Sequence, residues 1–535
     1  MKLLDAWLSS SEKRYTWVLL ILSLLLFCPF LGSRHLWAPV EPRYAEIARV
    51  MLTKGEWIIP TINGDLYTDK PILYFWLVLV GSKLAGSVNE WTLRLPSALS
   101  AVGLVLTAYF LGRDLFTARV GFMAAAILAT SARVLWEAGW AHTDMLLAFL
   151  LTLCLYCFAR AIFEIGRKRE MLFAYALISL ATLTKGLIGI VLPGLILLVF
   201  IALRGEWRSI LEWHLPWGIL IFLLMAGPWF ASVSYVTNGK WLGDFIWVHH
   251  LQRYTAGGGH REPFYYYLTT LPADFLPWTF FVVPALVFYR TRLKDLWQQP
   301  VPLFLFAWFS VIFLFFSISD TKRELYLLPA FPPLAILVTC YFDKLIDEEI
   351  PETEVYRWLG YSLFGSLAIA GFILPAALAF FRMEAIWMSV PMSVVSVAGG
   401  VIGIAAIRSR KPYKVLISTV LTVALVTLSA AIWTLPFIDR YKSAQPFAIE
   451  INKIVPPTEP LYIYADTMND FNFYTRREVI SVLHSPADVK GLLQNQKIVY
   501  LLVRDRDAKE LTGKVTVLAE ANVGSKQWRL VRIAQ

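Results

Sequence analysis

Residues 34–71 read RHLWAPVEPRYAEIARVMLTKGEWIIPTINGDLYTDKP and separate the first long apolar run from the next. Glu41, Arg43, Tyr44, Glu46, Arg49, Lys54, Asp65, Tyr67, Asp69 and Lys70 crowd this one stretch. It stands out because the rest of the chain is so apolar. Of 535 residues, 57% are hydrophobic and 16% charged, and the mean hydropathy is +0.58. A soluble domain carries about 25% charged residues. The chain therefore reads as a polytopic membrane protein, and residues 34–71 as a polar loop at a membrane surface. Such a loop can hold a phosphate and a carboxylate-driven reaction side by side.

A spanning helix needs about 20 mainly apolar residues. Thirteen candidate spans follow: 15–33, 94–112, 119–136, 143–163, 171–184, 186–203, 214–235, 272–289, 301–318, 325–342, 357–381, 387–407 and 414–435. The run 72–84 is too short for a span and reads as an interfacial or re-entrant helix. Lys and Arg collect in cytoplasmic loops, so charge sets orientation. Lys2, Lys13 and Arg14 place the N-terminus in the cytoplasm. Basic residues recur in alternate loops at Arg113/Arg119, Arg167/Lys168/Arg169, Arg204/Arg208, Arg290/Arg292/Lys294 and Arg408/Arg410/Lys411. The acidic loop 343–354 departs from this pattern. An odd number of spans puts the C-terminus outside.

The same orientation places four polar segments on the outer face: 34–71, the turn at His142 and Asp144, the loop 236–271, and the turn 320–324. Five of the seven histidines (His35, His142, His249, His250 and His260) fall in them. The net charge of +10 is then a matter of topology, and nucleic acid is not implied. Cys28, Cys154, Cys157 and Cys340 all lie in apolar runs and read as buried thiols. The run 17–31 lacks a small-residue cleavage site and reads as a retained anchor. From about 436 charged residues return. Short runs such as LYIYA (461–465) and IVYLLVR (498–504), with helix-like DVKGLLQ (488–494), predict an α/β domain of about 100 residues over 436–535. It is read as a cap or lid. Residues 1–435 form the catalytic membrane domain.

Four motifs carry chemistry. EPRYAEIARVML (41–52) predicts an amphipathic helix with Tyr44, Ile47, Ala48 and Met51 on one face and Arg43, Glu46 and Arg49 on the other. Its apolar side would lie in lipid. Asp69 and Lys70 then sit at a membrane boundary, where charge is costly unless used or paired. Asp144 opens an apolar span. As a simple helix cap it needs no function, but facing an outer cavity it can take a proton from an acceptor hydroxyl. The loop WVHHLQRYTAGGGHREPFYYY (247–267) sets His250, Arg253, His260 and Arg261 around a triple glycine, and the turn SDTKRELY (319–326) carries Lys322, Arg323 and Tyr326. Lys185 is isolated between two apolar segments and is a functional candidate by default. Together these give cations (Arg43, Lys70, Lys185, Arg253, Arg261, Lys322, Arg323) for an anionic lipid phosphate. The carboxylates Glu41, Asp69 and Asp144 complete the set. A sugar leaving a lipid phosphate needs both kinds of group.

These residues, over roughly 15–345, resemble the lipid A aminoarabinose transferases and the related bacterial dolichyl-phosphate-mannose-protein-mannosyltransferase-like enzymes of the GT-C type. The resemblance rests on WAPVEPRYAEIARVML, LYTDKPILYFW, LTKGLIGIVLPG, HHLQRY with HREPFYYYL, LPW at 276–278, and FSISDTKRELYLLPAFPPLAIL. It implies an all-α membrane GT-C fold with about thirteen spans and a periplasmic C-terminal α/β domain in a bacterial inner membrane. It implies a sugar donor on undecaprenyl phosphate, and a lipid A, lipopolysaccharide or other envelope-glycan acceptor, with a protein acceptor as an alternative. Carried over by position, Arg43, Tyr44, Tyr67, Lys70 and Tyr326 would contact the donor phosphate. Glu41 and Asp144 are the candidate catalytic carboxylates. Asp69 and His250 would hold a zinc ion, with no organic cofactor and the chain a monomer among membrane lipids. Two positions depart from the family. Val40 stands where an Asp is usual, and Asp69-Lys70-Pro71 replaces Glu-Lys-Pro. A flippase for a lipid-linked sugar is the alternative from another class, but it predicts internal repeats, and none is visible. A sensor or scaffold would leave the polar inventory unused.

Overall fold

A computed structural model describes residues 12–252, 261–292, 297–381, 386–467, 469–511 and 514–534. It divides into two compact units. One, the helical unit, comprises 1–30, 68–74 and 96–433. The other, the mixed unit, comprises 31–67, 75–95 and 434–535. The division differs from the one expected at 435/436. Its C-terminal boundary is nearly the same, but most of the opening loop groups with the C-terminal region.

Each of the thirteen expected spans contains helix, although 15–33 is helical only to Phe27 and the spans 119–136 and 272–289 are interrupted. Seven are long and apolar enough to cross a membrane, or up to ten if each bent pair counts as one span. The bent pairs are Ala118–Ala129 with Ala132–Ala138 (64°), Leu215–Met225 with Gly227–Val236 (42°), and Tyr266–Asp274 with Thr279–Arg290 (116°). Pro228 opens the second half of the middle pair and Pro277 lies in the break of the last. Proline removes an amide donor and clashes with the preceding turn, so helices bend or restart there. The three segments outside this tally are shorter helices: Glu12–Phe27, Glu170–Lys185 and Ile188–Arg204, of 16, 16 and 17 residues. The run expected to be interfacial is the 13-residue helix Leu73–Ala85. The chain is a multi-pass integral membrane protein.

Small residues close the helix contacts. A Cβ at Gly400, in Ile386–Arg408, would come within 2.6 Å of the Phe364 carbonyl oxygen in Glu354–Phe381. Only glycine allows that approach, which in lipid is what draws helices together.

The mixed unit contains a two-stranded ribbon, β1 (Thr61–Ile62) and β2 (Asp65–Leu66), turned by Asn63 and Gly64, both at positive φ. Its main sheet has five strands: β3 (Tyr462–Tyr464), β4 (Ser481–Leu483), β5 (Ile498–Arg504), β6 (Lys514–Val523) and β7 (Lys526–Ala534), in the order β4-β3-β5-β7-β6. The β3–β4 and β3–β5 pairs are parallel; β5–β7 and β6–β7 are antiparallel. Phe471 and Trp528 pack edge to face at 5.2 Å in its core, beside Phe447, Ile463 and Leu502.

The amphipathic helix forms as Val40–Lys54, closed by Gly55 in the left-handed conformation. Its apolar face does not take up lipid as expected. Tyr44, Ile47, Ala48 and Met51 are buried in protein, with the Tyr44 ring against Tyr67 and Phe75, and the helix Asp470–Thr475 of the same unit also packs on this helix. Glu46, expected on the polar face, is fully buried, its carboxylate held by Arg49 at 2.6 and 2.7 Å. Packing on two sides leaves this helix little solvated surface.

Candidate active site

The helical unit carries two polar clusters. In the first, Asp144 lies in the opening turn of Thr143–Ile162, and Lys185 is the last residue of Glu170–Lys185. These helices pack on each other, so two charges distant in sequence meet as an ion pair. Both side chains are largely buried, 9% and 12% exposed. The Tyr326 ring lies 4.2 Å from the Lys185 ammonium, a cation–π contact that supports the cation out of water. The charge of Arg323 also bears on Asp144.

His142 precedes this helix, and its Nδ1 lies 2.6 Å from Glu137 Oε2. Glu137 is fully buried and also pairs with Arg133 at 3.3 Å, which reaches Asp274 at 2.5 Å. The backbone of His142 accepts from Ser97 Oγ at 3.2 Å, and Ser97 lies 2.9 Å from the Tyr74 hydroxyl. A chain of paired groups thus fixes the turn that presents Asp144. His142 was legible in the sequence as a polar turn residue; Arg133, Glu137 and Asp274 were not singled out there. Their signal was present, since Glu137 and Arg133 are ionisable residues within an apolar segment.

The second cluster is Thr68, Asp69, Lys70 and His249. Lys70 Nζ lies 3.2 Å from Asp69 Oδ1, His249 Nδ1 is 3.4 Å from the same carboxylate, and His249 Nε2 is 3.0 Å from Thr68 Oγ1. Asp69 and Lys70 are partly exposed, at 20% and 17%. The two charges expected at a membrane boundary are therefore paired. As a metal centre, Asp69 and His249 offer two donors, one short of the three protein ligands that hold a catalytic zinc. No group of three His, Cys, Asp or Glu side chains converges among the described residues. Asp69 and His249 alone supply fewer donors than a zinc site needs. The side chain of the expected ligand His250, like Arg253 and His260, lies outside the described residues.

The late cationic turn is held by backbone contacts. Lys322 is 3% exposed and donates to the carbonyls of Glu262 and Ser319 at 2.8 and 2.5 Å. Arg261 bridges to Thr321 through the backbone, and its side chain is exposed. Lys322 expected at the phosphate thus has its ammonium turned into the protein. Tyr267 donates to the Arg323 carbonyl at 3.1 Å and Tyr266 to Glu324 at 2.7 Å.

In the mixed unit, Glu41 is sealed, 0% exposed. Arg34 Nη1 lies 2.6 Å from one oxygen and Arg94 Nε 2.7 Å from the other, and the Trp37 amide donates at 3.1 Å. Burial pushes this carboxyl up, but Arg94 and Arg34 outweigh it and hold the group at about 2. A carboxylate so ionised and so enclosed organises the loop and is poorly placed to accept a substrate proton. Neither arginine was singled out in the sequence, although Arg94 inside an apolar run was a signal of the same kind. Tyr44 and Tyr67 are buried around Phe75, with ring centroids 5.2 and 6.0 Å from it. Arg43 is half-buried and lines a separate cavity.

The family model described as dolichyl-phosphate-mannose-protein mannosyltransferase matches residues 69–231, which contain Asp69, Lys70, Asp144 and Lys185. An undecaprenyl phosphate-alpha-4-amino-4-deoxy-L-arabinose arabinosyl transferase of Shewanella sediminis is 29% identical over 73% of this chain and 77% of its own length. A protein of the same name from Pectobacterium atrosepticum is 31% identical over 66% of this chain and 64% of its own. A crystal structure of ArnT from Cupriavidus metallidurans bound to undecaprenyl phosphate superposes with a TM-score of 0.78 at 23% identity, over 97% of this chain and 98% of the other.

Proposed function

We propose that this chain, a glycosyltransferase of the ArnT-like GT-C type, moves a sugar from a polyprenyl phosphate to an acceptor on the periplasmic side of a bacterial inner membrane. Thirteen spans with a cytoplasmic N-terminus belong to the same reading, and so does an acceptor of the lipid A or envelope-glycan class. The observation that carries it is the Asp144–Lys185 pair under Tyr326. A general base and a phosphate-binding cation are there held in contact with each other. Each neutralises its partner until a substrate separates them.

The donor phosphate competes with Asp144 for Lys185. Once Lys185 turns to the phosphate, Asp144 is free to accept the proton of the acceptor hydroxyl. The acceptor oxygen bonds to the anomeric carbon as the bond from that carbon to the phosphate oxygen breaks, and the electron pair leaves on the phosphate. Lys185, Lys70 and Arg323 are the cations available to that developing charge, and donors of this kind contribute about 10²–10³ in rate each. Glu137, His142 and Arg133 keep the Asp144 turn in place. No step is routed through a metal.

Transfer from a radiolabelled polyprenyl-phosphate sugar in proteoliposomes tests this. Asp144→Asn and Lys185→Ala should each fall about 100-fold or more with the fold retained. Full turnover in Asp144→Asn overturns its role as base. The match to the protein mannosyltransferase model over 69–231 favours a second acceptor class, proteins. Mass spectrometry of envelope lipids, glycans and proteins with and without the gene separates the two.

A further inference from the structure

The mixed unit contains a cavity of about 340 Å³ that the catalytic assignment does not use. It is lined by Arg43 from the helix Val40–Lys54, Lys442 at the end of Leu435–Lys442, Ser525 from the β6–β7 turn and Lys526 at the start of β7, and Asp466 and Asp470 from the segment after β3. We propose that this cavity binds the phosphate of a phosphorylated, hydroxyl-bearing headgroup, as a site distinct from the Asp144–Lys185 cluster.

Three cations face it, from three separate elements. Of its two carboxylates, Asp466 is engaged by Arg504 and lies 3.6 Å from Lys526, so its charge is already answered. Asp470 is 2% exposed, and its Oδ2 has no hydrogen-bond partner among the described residues. A buried polar atom without a partner is costly, and a ligand oxygen would satisfy it. Burial pushes the Asp470 carboxyl up to about 7 against the pull of Lys526 and Arg43, with Glu41 adding to the rise. Below about pH 7 its protonated form predominates and can donate to a phosphate or sugar oxygen. The remaining balance is cationic, which selects an anion. The volume is at the small end of ligand clefts, about 300–1,000 Å³, which suits one phosphosugar and no lipid tail. At the β6–β7 turn, Gly524 is at φ +63°, and its amide donates to the Tyr441 carbonyl at 2.8 Å. That bond ties the turn that precedes Lys526 to the helix bearing Lys442.

Binding by the full-length protein in detergent tests the site, with sulfate, glucosamine 1-phosphate and glucosamine as probes in calorimetry. A phosphorylated disaccharide lipid in nanodiscs forms a separate arm. Wild type should bind sulfate and glucosamine 1-phosphate and at least tenfold more weakly glucosamine. Sulfate keeps its charge between pH 6 and 8, so its affinity should fall as pH rises through Asp470, and Asp470→Asn should abolish that dependence. Lys442→Ala with Lys526→Ala, both exposed positions, should weaken sulfate and glucosamine 1-phosphate at least tenfold. Equal binding of glucosamine, or unchanged binding in the double variant, overturns the site. If the soluble phosphosugar binds as tightly as the lipid, the phosphosugar alone is recognised; tighter lipid binding makes the headgroup's lipid its natural carrier. A chain that binds the phosphosugar yet transfers nothing keeps this site and loses the transferase reading. A chain that transfers but binds neither anion here loses the site alone.

Discussion

Lys185 and Asp144 are 41 positions apart, each alone in its own apolar surroundings. In the sequence each looks like a defect of a membrane helix, and that is what made them legible. Their pairing was not legible, because it depends on how two helices pack. Removing one member of a buried pair strands the other and costs about 3–5 kcal/mol, whereas replacing both can be neutral. Lys185→Met should therefore lower the melting temperature of the detergent-solubilised protein more than Lys185→Met with Asp144→Asn. Scanning fluorimetry reads this, and an equal loss in both would show that the two side chains do not rely on each other. Glu41 is the opposite lesson. Its place in a dense polar loop suggested catalysis, yet Arg34 and Arg94 enclose it completely. Nothing local distinguishes a carboxylate facing substrate from one that ties a loop together.

The helix Val40–Lys54 was placed by its sequence within a residue or two, since the apolar spacing marks its body. Its surroundings were not. A sequence shows an amphipathic face but not what covers it, and lipid and a protein helix ask for the same residues. Burial of Glu46 follows from the protein cover. It pushes the carboxyl up to about 7, against the hydrogen bond and charge of Arg49, with Glu478 adding to the rise. A carboxyl raised in the folded state contributes stability that is present below its unfolded value near 4.5. That contribution is lost as pH rises through about 7. Glu46→Gln should flatten the fall in melting temperature between pH 5 and 8. An unchanged pH profile would show that Glu46 is ionised throughout.

For the whole molecule, the mixed unit joins three stretches of chain: 31–67, 75–95 and 434–535. The bonds inside it are specific. The Leu36 amide donates to the Tyr474 hydroxyl at 2.7 Å, Asn63 Oδ1 accepts from the Ile480 amide at 2.8 Å, and Asp439 takes the Trp37 indole at 2.6 Å. If these stretches form one cooperative unit, their amides should share a protection class. In hydrogen-exchange mass spectrometry, Tyr474→Phe should speed exchange in peptides covering 34–40 and 470–483 together. The helices of 300–346 should be unaffected. Independent exchange of the opening loop would contradict the grouping.

The sequence by itself determined that this is a membrane protein, where its apolar helices run, and which ionisable residues interrupt them. Each of those facts is a property of local composition and of the high energy of charge in an apolar medium. Lys70, Asp69, Asp144 and Lys185 were visible on that ground alone. Only the tertiary structure decided which charges meet. It pairs Asp144 with Lys185, turns Lys322 onto backbone carbonyls, sets His249 beside Asp69 and buries Glu41 between two arginines. An ion pair is chosen by packing over tens of residues, and no window of sequence contains that geometry.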